Sequence, residues 1–266
     1  MVEDTKMTDS SKEDADKTTT TTSKTEEETP PKEPPLPPLQ AAARRLDKSL
    51  SPESVQHYSN PTKVVRRWLG TSSGAAGAAT LQEVSEAAAV LLDPAGPCAA
   101  GRTLLVTPEA EAAAASSSSS TSMEVEGEEN KEEKGAPSPG YLSLSSAREV
   151  EAWLLSLSVR LLWKEQHYSD AYDRVQRSIH IVLDQHLAEN GTTKSSLFPL
   201  LARLYRYRAL VAEASGLKDH HPEITASLRK DMSLAHNLAC LRRDVDSQAT
   251  LLNLMLHDLL EHAQSK

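Results

Sequence analysis

The chain has 266 residues and a formal net charge of −9, a length that allows one or two domains. The charge is split: residues 1–145 hold 14 Lys/Arg against 23 Asp/Glu, and residues 146–266 hold 15 of each. A neutral second half argues against a nucleic-acid domain built on basic charge, and two isolated cysteines, Cys98 and Cys240, argue against a disulfide framework.

The N-terminus is polar and acidic, without the charged and apolar regions of a secretory signal, and no apolar run reaches the ~18 residues of a membrane span. Cytosol or nucleus is the expected location. Residues 1–38 are low-complexity, with a threonine run at Thr18–Thr22, an acidic run at Glu26–Glu28 and a proline tract from Pro30 to Pro38. So little apolar surface does not offset chain entropy, and an acidic, proline-rich disordered tail is expected. Pro34 and Pro37 have PxxP spacing, but a stiff polyproline linker is the preferred reading.

Residues 39–93 carry enough pattern for short helices. Ala41–Leu46 suggests one, and Lys63–Leu69 a second with Pro61 at its start, where a missing amide donor is harmless. Lys63, Arg66 and Arg67 stand beside Trp68; a solvated helix face with Trp68 packed beneath is favoured over an acidic or nucleic-acid partner. Thr80–Leu92 reads as a third helix with Leu81, Val84, Ala88, Leu91 and Leu92 on one stripe, ended by Asp93-Pro94. Residues 94–145, interrupted by Ala112–Ala115, Ser116–Ser120 and the acidic stretch from Glu124 to Glu133, read as a low-complexity linker or insertion.

From residue 146 onward five helices are predicted. Ser146 and Glu149 have capping-box spacing, followed by Val150, Trp153, Leu154, Leu157, Leu161 and Leu162 on one face. A second helix spans about Tyr168–Ala188, with Asp170/Arg174 and Asp173/Arg177 at i,i+4 outside and Asn190-Gly191 as a left-handed cap. A third spans about Ser196–Ser215, with Pro199 in its first turn and Gly216 after its end. The fourth runs over about Pro222–Leu241, and the fifth begins near Asp244. Short connections make consecutive helices antiparallel. A separation of about 49 residues between alternate helices exceeds the 34 of a regular tetratricopeptide array, so an irregular α-solenoid is expected for residues 146–266.

The fifth helix is the most informative. Leu252, Met255, Leu256 and Leu259 form one stripe, and Leu251, Leu254 and Leu260 widen it. A helix apolar over so much of its surface is expected to be covered on two sides. These four stripe residues, with Arg203 and Arg206 on the third helix, are the candidate partner contacts. Arg203, Arg206 and Arg208 beside Tyr205 and Tyr207 are expected to be solvated or salt-bridging in preference to forming an RNA patch.

No Gly-rich phosphate loop, HExxH or CxxC is present. His236 and Cys240 have ligand spacing, with His257 a conceivable third donor, but ordinary packing is preferred. Paired carboxylates occur only where burial is not expected, so no catalytic, cofactor or metal site is assigned, and the chain is read as a binding and scaffolding protein rather than an enzyme.

Leu241, Arg242, Asp244, Gln248, Thr250, Leu251, Leu252, Asn253, Leu254 and Leu256 follow a pattern close to L-R-x-D-x-x-x-Q-x-T-L-L-N-L-L-L, with Met255 in place of one leucine. Weaker echoes lie in Glu149–Ala152, in Tyr168 with Ala171, and in Tyr205 with Tyr207. In these residues the chain resembles the family of 26S proteasome non-ATPase regulatory subunit 3, a lid subunit of the regulatory particle, over roughly Ser146–Leu260. The resemblance implies tetratricopeptide-like repeats leading into a winged-helix module of the PCI type, before which this chain is expected to stop. It also implies a non-catalytic scaffold in a hetero-oligomer with other lid subunits, in cytoplasm and nucleus, without nucleic acid or membrane. A free-standing helical-repeat adaptor for a peptide or partner helix is the alternative.

Overall fold

The computed structural model describes residues 36–51, 61–118, 141–144, 146–183, 195–217 and 222–264. Residues 1–35 of the expected tail, the acidic stretch and the Asn190-Gly191 cap lie outside the described residues, and Pro38, read as the end of the tail, instead opens the first helix with Pro37 before it. Those described are helical, with no strand among them: α1 Pro38–Leu50, α2 Pro61–Thr71, α3 Ser73–Ala78, α4 Leu81–Leu91, α5 Ala99–Leu105, α6 Pro108–Ser118, α7 Ala147–Lys164, α8 Tyr168–His180, α9 Phe198–Ala214, α10 Pro222–Leu241 and α11 Val245–Gln264. The architecture is all-α, a run of antiparallel helices stacked as an irregular solenoid.

Every helix predicted after residue 145 is present. The helix of Tyr168 passes into a π turn at 181–183, and a 3-10 turn, Ser195–Leu197, leads into α9. Pro199 sits in the first turn of α9, and Gly216 after its end has φ +66°, a value natural for glycine. Helices α7 and α10 instead close through Gln166 (φ 63°) and Arg243 (φ 56°). The next amide reaches back five residues in each case, His167 to Leu162 O at 3.0 Å and Asp244 to Ala239 O at 3.0 Å. This is the Schellman closure, here made without glycine.

Helix α7 is the axis of the structure. Its predicted stripe of Val150, Trp153, Leu154, Leu157, Leu161 and Leu162 is buried, but so are Arg148, Glu149, Glu151, Ser156 and Ser158 on other faces. Helices α1, α4, α5, α8 and α9 all pack on it, which leaves it almost no solvated side.

That packing corrects one expectation. Residues 94–118 are no linker: they hold α5 and α6, with Cys98, Leu105 and Ala110 buried. Helix α6 lies on α4, held there by Thr107 N donating to Ser85 Oγ at 2.8 Å, and is tied to α5 by Arg102 pairing with Glu111 at 3.1 Å. One hydrophobic cluster spans both halves of the chain, joining Leu39, Leu46, Val65, Trp68, Val84 and Leu91 with Trp153, Leu200 and Leu251. Trp68 is central to the join. Its ring meets Trp153 edge-on, centroids 4.8 Å apart, and its Nε1 donates to Ala42 O at 2.8 Å, a geometry in which an aromatic pair gains beyond area alone.

The capping box at Ser146 is also corrected. Ser146 makes no side-chain cap to α7; its hydroxyl donates to Asp47 Oδ1 of α1 at 2.6 Å, and the same oxygen accepts from the Ser143 hydroxyl. Glu149 accepts from Ser196 Oγ at 2.6 Å. Both partners of the expected local box are spent on tertiary bonds. The reciprocal box stands on α4, where Thr80 Oγ1 accepts from Glu83 N at 3.3 Å and Thr80 N donates to Glu83 Oε2 at 2.9 Å.

Candidate partner-binding surface

Helices α10 and α11 form a hairpin that rests on α9. At 100° per residue, Ser247, Leu251, Leu254 and Asp258 fall on one side of α11, and that side faces inward. Leu251, Ser247 and Asp258 are buried, and Leu254 and Met255 pack against the core while half-buried. Arg229 of α10 pairs with Asp258, which fixes the register of the two helices.

The opposite side of α11 is open. Val245, Leu252, Leu256, Leu259 and Leu260 are exposed, as are Leu234 and Leu241 on α10, with Leu241 at 78% and Leu260 at 63%. Single exposed leucines are ordinary, but seven large apolar side chains on one hairpin are not. The predicted stripe therefore divides. Leu252, Leu256 and Leu259 lie on the open face, whereas Met255 turns toward α10, its sulfur 3.6 Å from Ser233 Oγ. The expected cover on two sides is found, among the described residues, on one side alone.

The elbow between α10 and α11 is tied to a distant helix. Arg66 of α2 pairs with both Asp244 and Asp246, and the Ser247 hydroxyl donates to Asp244 Oδ2 at 2.6 Å. Arg66 thus has a specific role that its reading as part of a solvated cluster missed; Lys63 and Arg67 beside it are exposed. The signal was absent because Asp244 lies 178 positions further along the chain.

The arginines of α9 do not act as one patch. Arg208 is buried and donates to Asp231 Oδ2 at 2.6 Å, and Tyr205 is buried beside it. Burial, then the Asp231 charge, pushes the Tyr205 phenol above its ordinary range, with Arg208 opposing. Arg203 is half-buried and Arg206 exposed, the latter lining a cleft between α9, α10 and α11 with Glu213, Met232 and His257.

A second polar centre is buried under α5. Gly101 lies where a Cβ would overlap the Glu151 carboxylate, and Glu151 is fully buried. The Cys98 thiol is hydrogen-bonded to that carboxylate; burial first, then the Glu151 charge, raises its pKa far above the thiol range. A thiol so disfavoured as thiolate is no nucleophile.

Possible metal donors fall differently from the sequence expectation. Cys240 Sγ lies 3.7 Å from His236 Nδ1, and His257 joins not that pair but Glu213 and Glu261. No described helix is long and apolar enough to cross a membrane.

Compared with known proteins, residues 99–265 match a family model described as PSMD3-like, N-terminal TPR repeats. Neither a curated protein nor a solved structure gives a significant match. The family match begins at α5, so it takes in the helices first read as linker and reaches the end of the open hairpin.

Proposed function

Because the chain belongs to the PSMD3-like family by its N-terminal TPR repeats, we propose that it is a structural, non-catalytic subunit of the 26S proteasome regulatory particle lid. The observation that carries this reading is the family match over residues 99–265, on helices that stack as a solenoid. The mechanism is passive: α7 and the helices around it form a rigid arm, and the open face of the α10–α11 hairpin supplies apolar surface for another helical element. Catalysis of ubiquitin-dependent degradation resides in other chains, and the partners are lid subunits in cytoplasm and nucleus.

The test is expression of the tagged full chain in cells, followed by native gel electrophoresis and affinity purification. Co-migration with lid and regulatory particle, with lid subunits recovered on the tag, is the expected result. A chain found solely as free monomer in cells whose proteasomes are intact overturns the reading and favours the adaptor alternative.

A further inference from the structure

We propose that Glu213, His257 and Glu261 form a site for a first-row divalent transition ion, zinc by its donor chemistry, which fastens α11 to α9. His257 and Glu261 are one turn apart on α11, with His257 Nδ1 3.6 Å from Glu261 Oε1. Glu213 comes from the last turn of α9, and one donor atom from each of the three lies within 4.8 Å of the others. Tetrahedral zinc with bonds of about 2.0–2.2 Å keeps its donors roughly 3.3–3.6 Å apart. The α11 pair already has that spacing. Glu213 is exposed, so a rotamer adjustment of about 1 Å brings it in without disturbing the core.

The donor set selects the ion. One imidazole nitrogen with two carboxylates suits zinc and its neighbours, whereas magnesium and calcium prefer six or more oxygens. Two carboxylates also balance a dication. An i,i+4 His–Glu contact explains itself as a helix pair, but it does not call for a third donor from another helix, and Glu213 is that donor. Around the site stand Arg206, which lines the same cleft, and Asp258, whose carboxylate pairs with Arg229. With His257 and Glu213 exposed, the fourth position opens to water, so this is an accessible clip and not a closed structural centre.

The consequence is mechanical. The contact between α9 and α11 carries the terminal hairpin onto the rest of the solenoid, and an ion bound to both helices stabilises that contact by mass action. This holds whether or not the chain is a lid subunit.

The experiment uses the full chain stripped of metal, titrated with zinc against a chromogenic chelator, with magnesium as control and cobalt absorption to report coordination. One zinc per chain, a rise in thermal midpoint and no response to magnesium are expected. His257→Ala and Glu213→Gln should each weaken zinc binding roughly tenfold or more, since even outer-shell partners are worth about 10–100-fold. Cys240→Ser, which removes the His236–Cys240 pair, should leave it unchanged. Both test residues are exposed, so the fold survives their loss. No zinc binding, binding abolished by Cys240→Ser, or binding indifferent to Glu213→Gln overturns the proposal.

Discussion

Cys98 and Cys240 show how one residue type is given two chemistries by position. Cys98 is buried against Glu151 while Cys240 is exposed, so native protein should take up one equivalent of iodoacetamide quickly, at Cys240. Cys98 should react on unfolding, and peptide mass spectrometry separates the two. The raised Cys98 and Tyr205 values also set a pH dependence. Both groups keep their protons in the folded state at pH values where the unfolded chain has lost them. Their contribution is complete below the unfolded pKa values and is lost as pH rises through the folded ones. Thermal stability should therefore fall from about pH 9 upward, and Cys98→Ala should lessen the slope. A flat profile between neutral and strongly alkaline pH would contradict the burial of both groups.

At the scale of elements, the first helices act as a brace for the last hairpin. Arg66 reaches from α2 to Asp244 and Asp246 at the entry of α11. Asp244 is buried and Arg66 partly exposed, so Arg66→Ala leaves a desolvated carboxylate supported by Ser247 alone. We expect a loss of about 1–3 kcal/mol, with faster amide exchange confined to the start of α11. Uniform loss of protection across all helices would show that the brace is not local. This contact also marks where the sequence stopped being informative. Helices with a clear apolar stripe and good punctuation, such as α4, α9 and α10, were legible from spacing alone. Helices α5 and α6 were not, because Ala-Ala-Gly and Ala-rich segments bury small surfaces on α4 and α7 and carry no strong periodicity. The Ser146–Glu149 motif was legible but misleading: Asp47 and Ser196, distant in the chain, outcompeted the local cap. Glu213 escaped notice for the same reason, since its relation to His257 depends on how α9 packs on α11.

For the whole molecule, the decisive asymmetry is between a saturated centre and an open end. Helix α7 is covered on nearly all sides, whereas α11 buries Leu251 and Asp258 inward and leaves Leu252, Leu256, Leu259 and Leu260 in solvent. The apolar spacing of α11 foretold a helix wanting cover on two sides; which side is satisfied follows from tertiary packing. The outward leucines add little to the fold of this chain, so replacing them should separate stability from association. Leu256→Glu with Leu259→Glu should leave the thermal midpoint nearly unchanged, each substitution lying within about 0.5 kcal/mol as surface changes do. The same pair should lower dye binding and concentration-dependent self-association by removing the centre of the apolar face. If the hairpin docks another helical element, the double variant should also fail to co-purify with lid subunits while circular dichroism stays helical. Loss of helicity would instead place these leucines in the fold, and undiminished co-purification would move the docking surface to another part of the molecule.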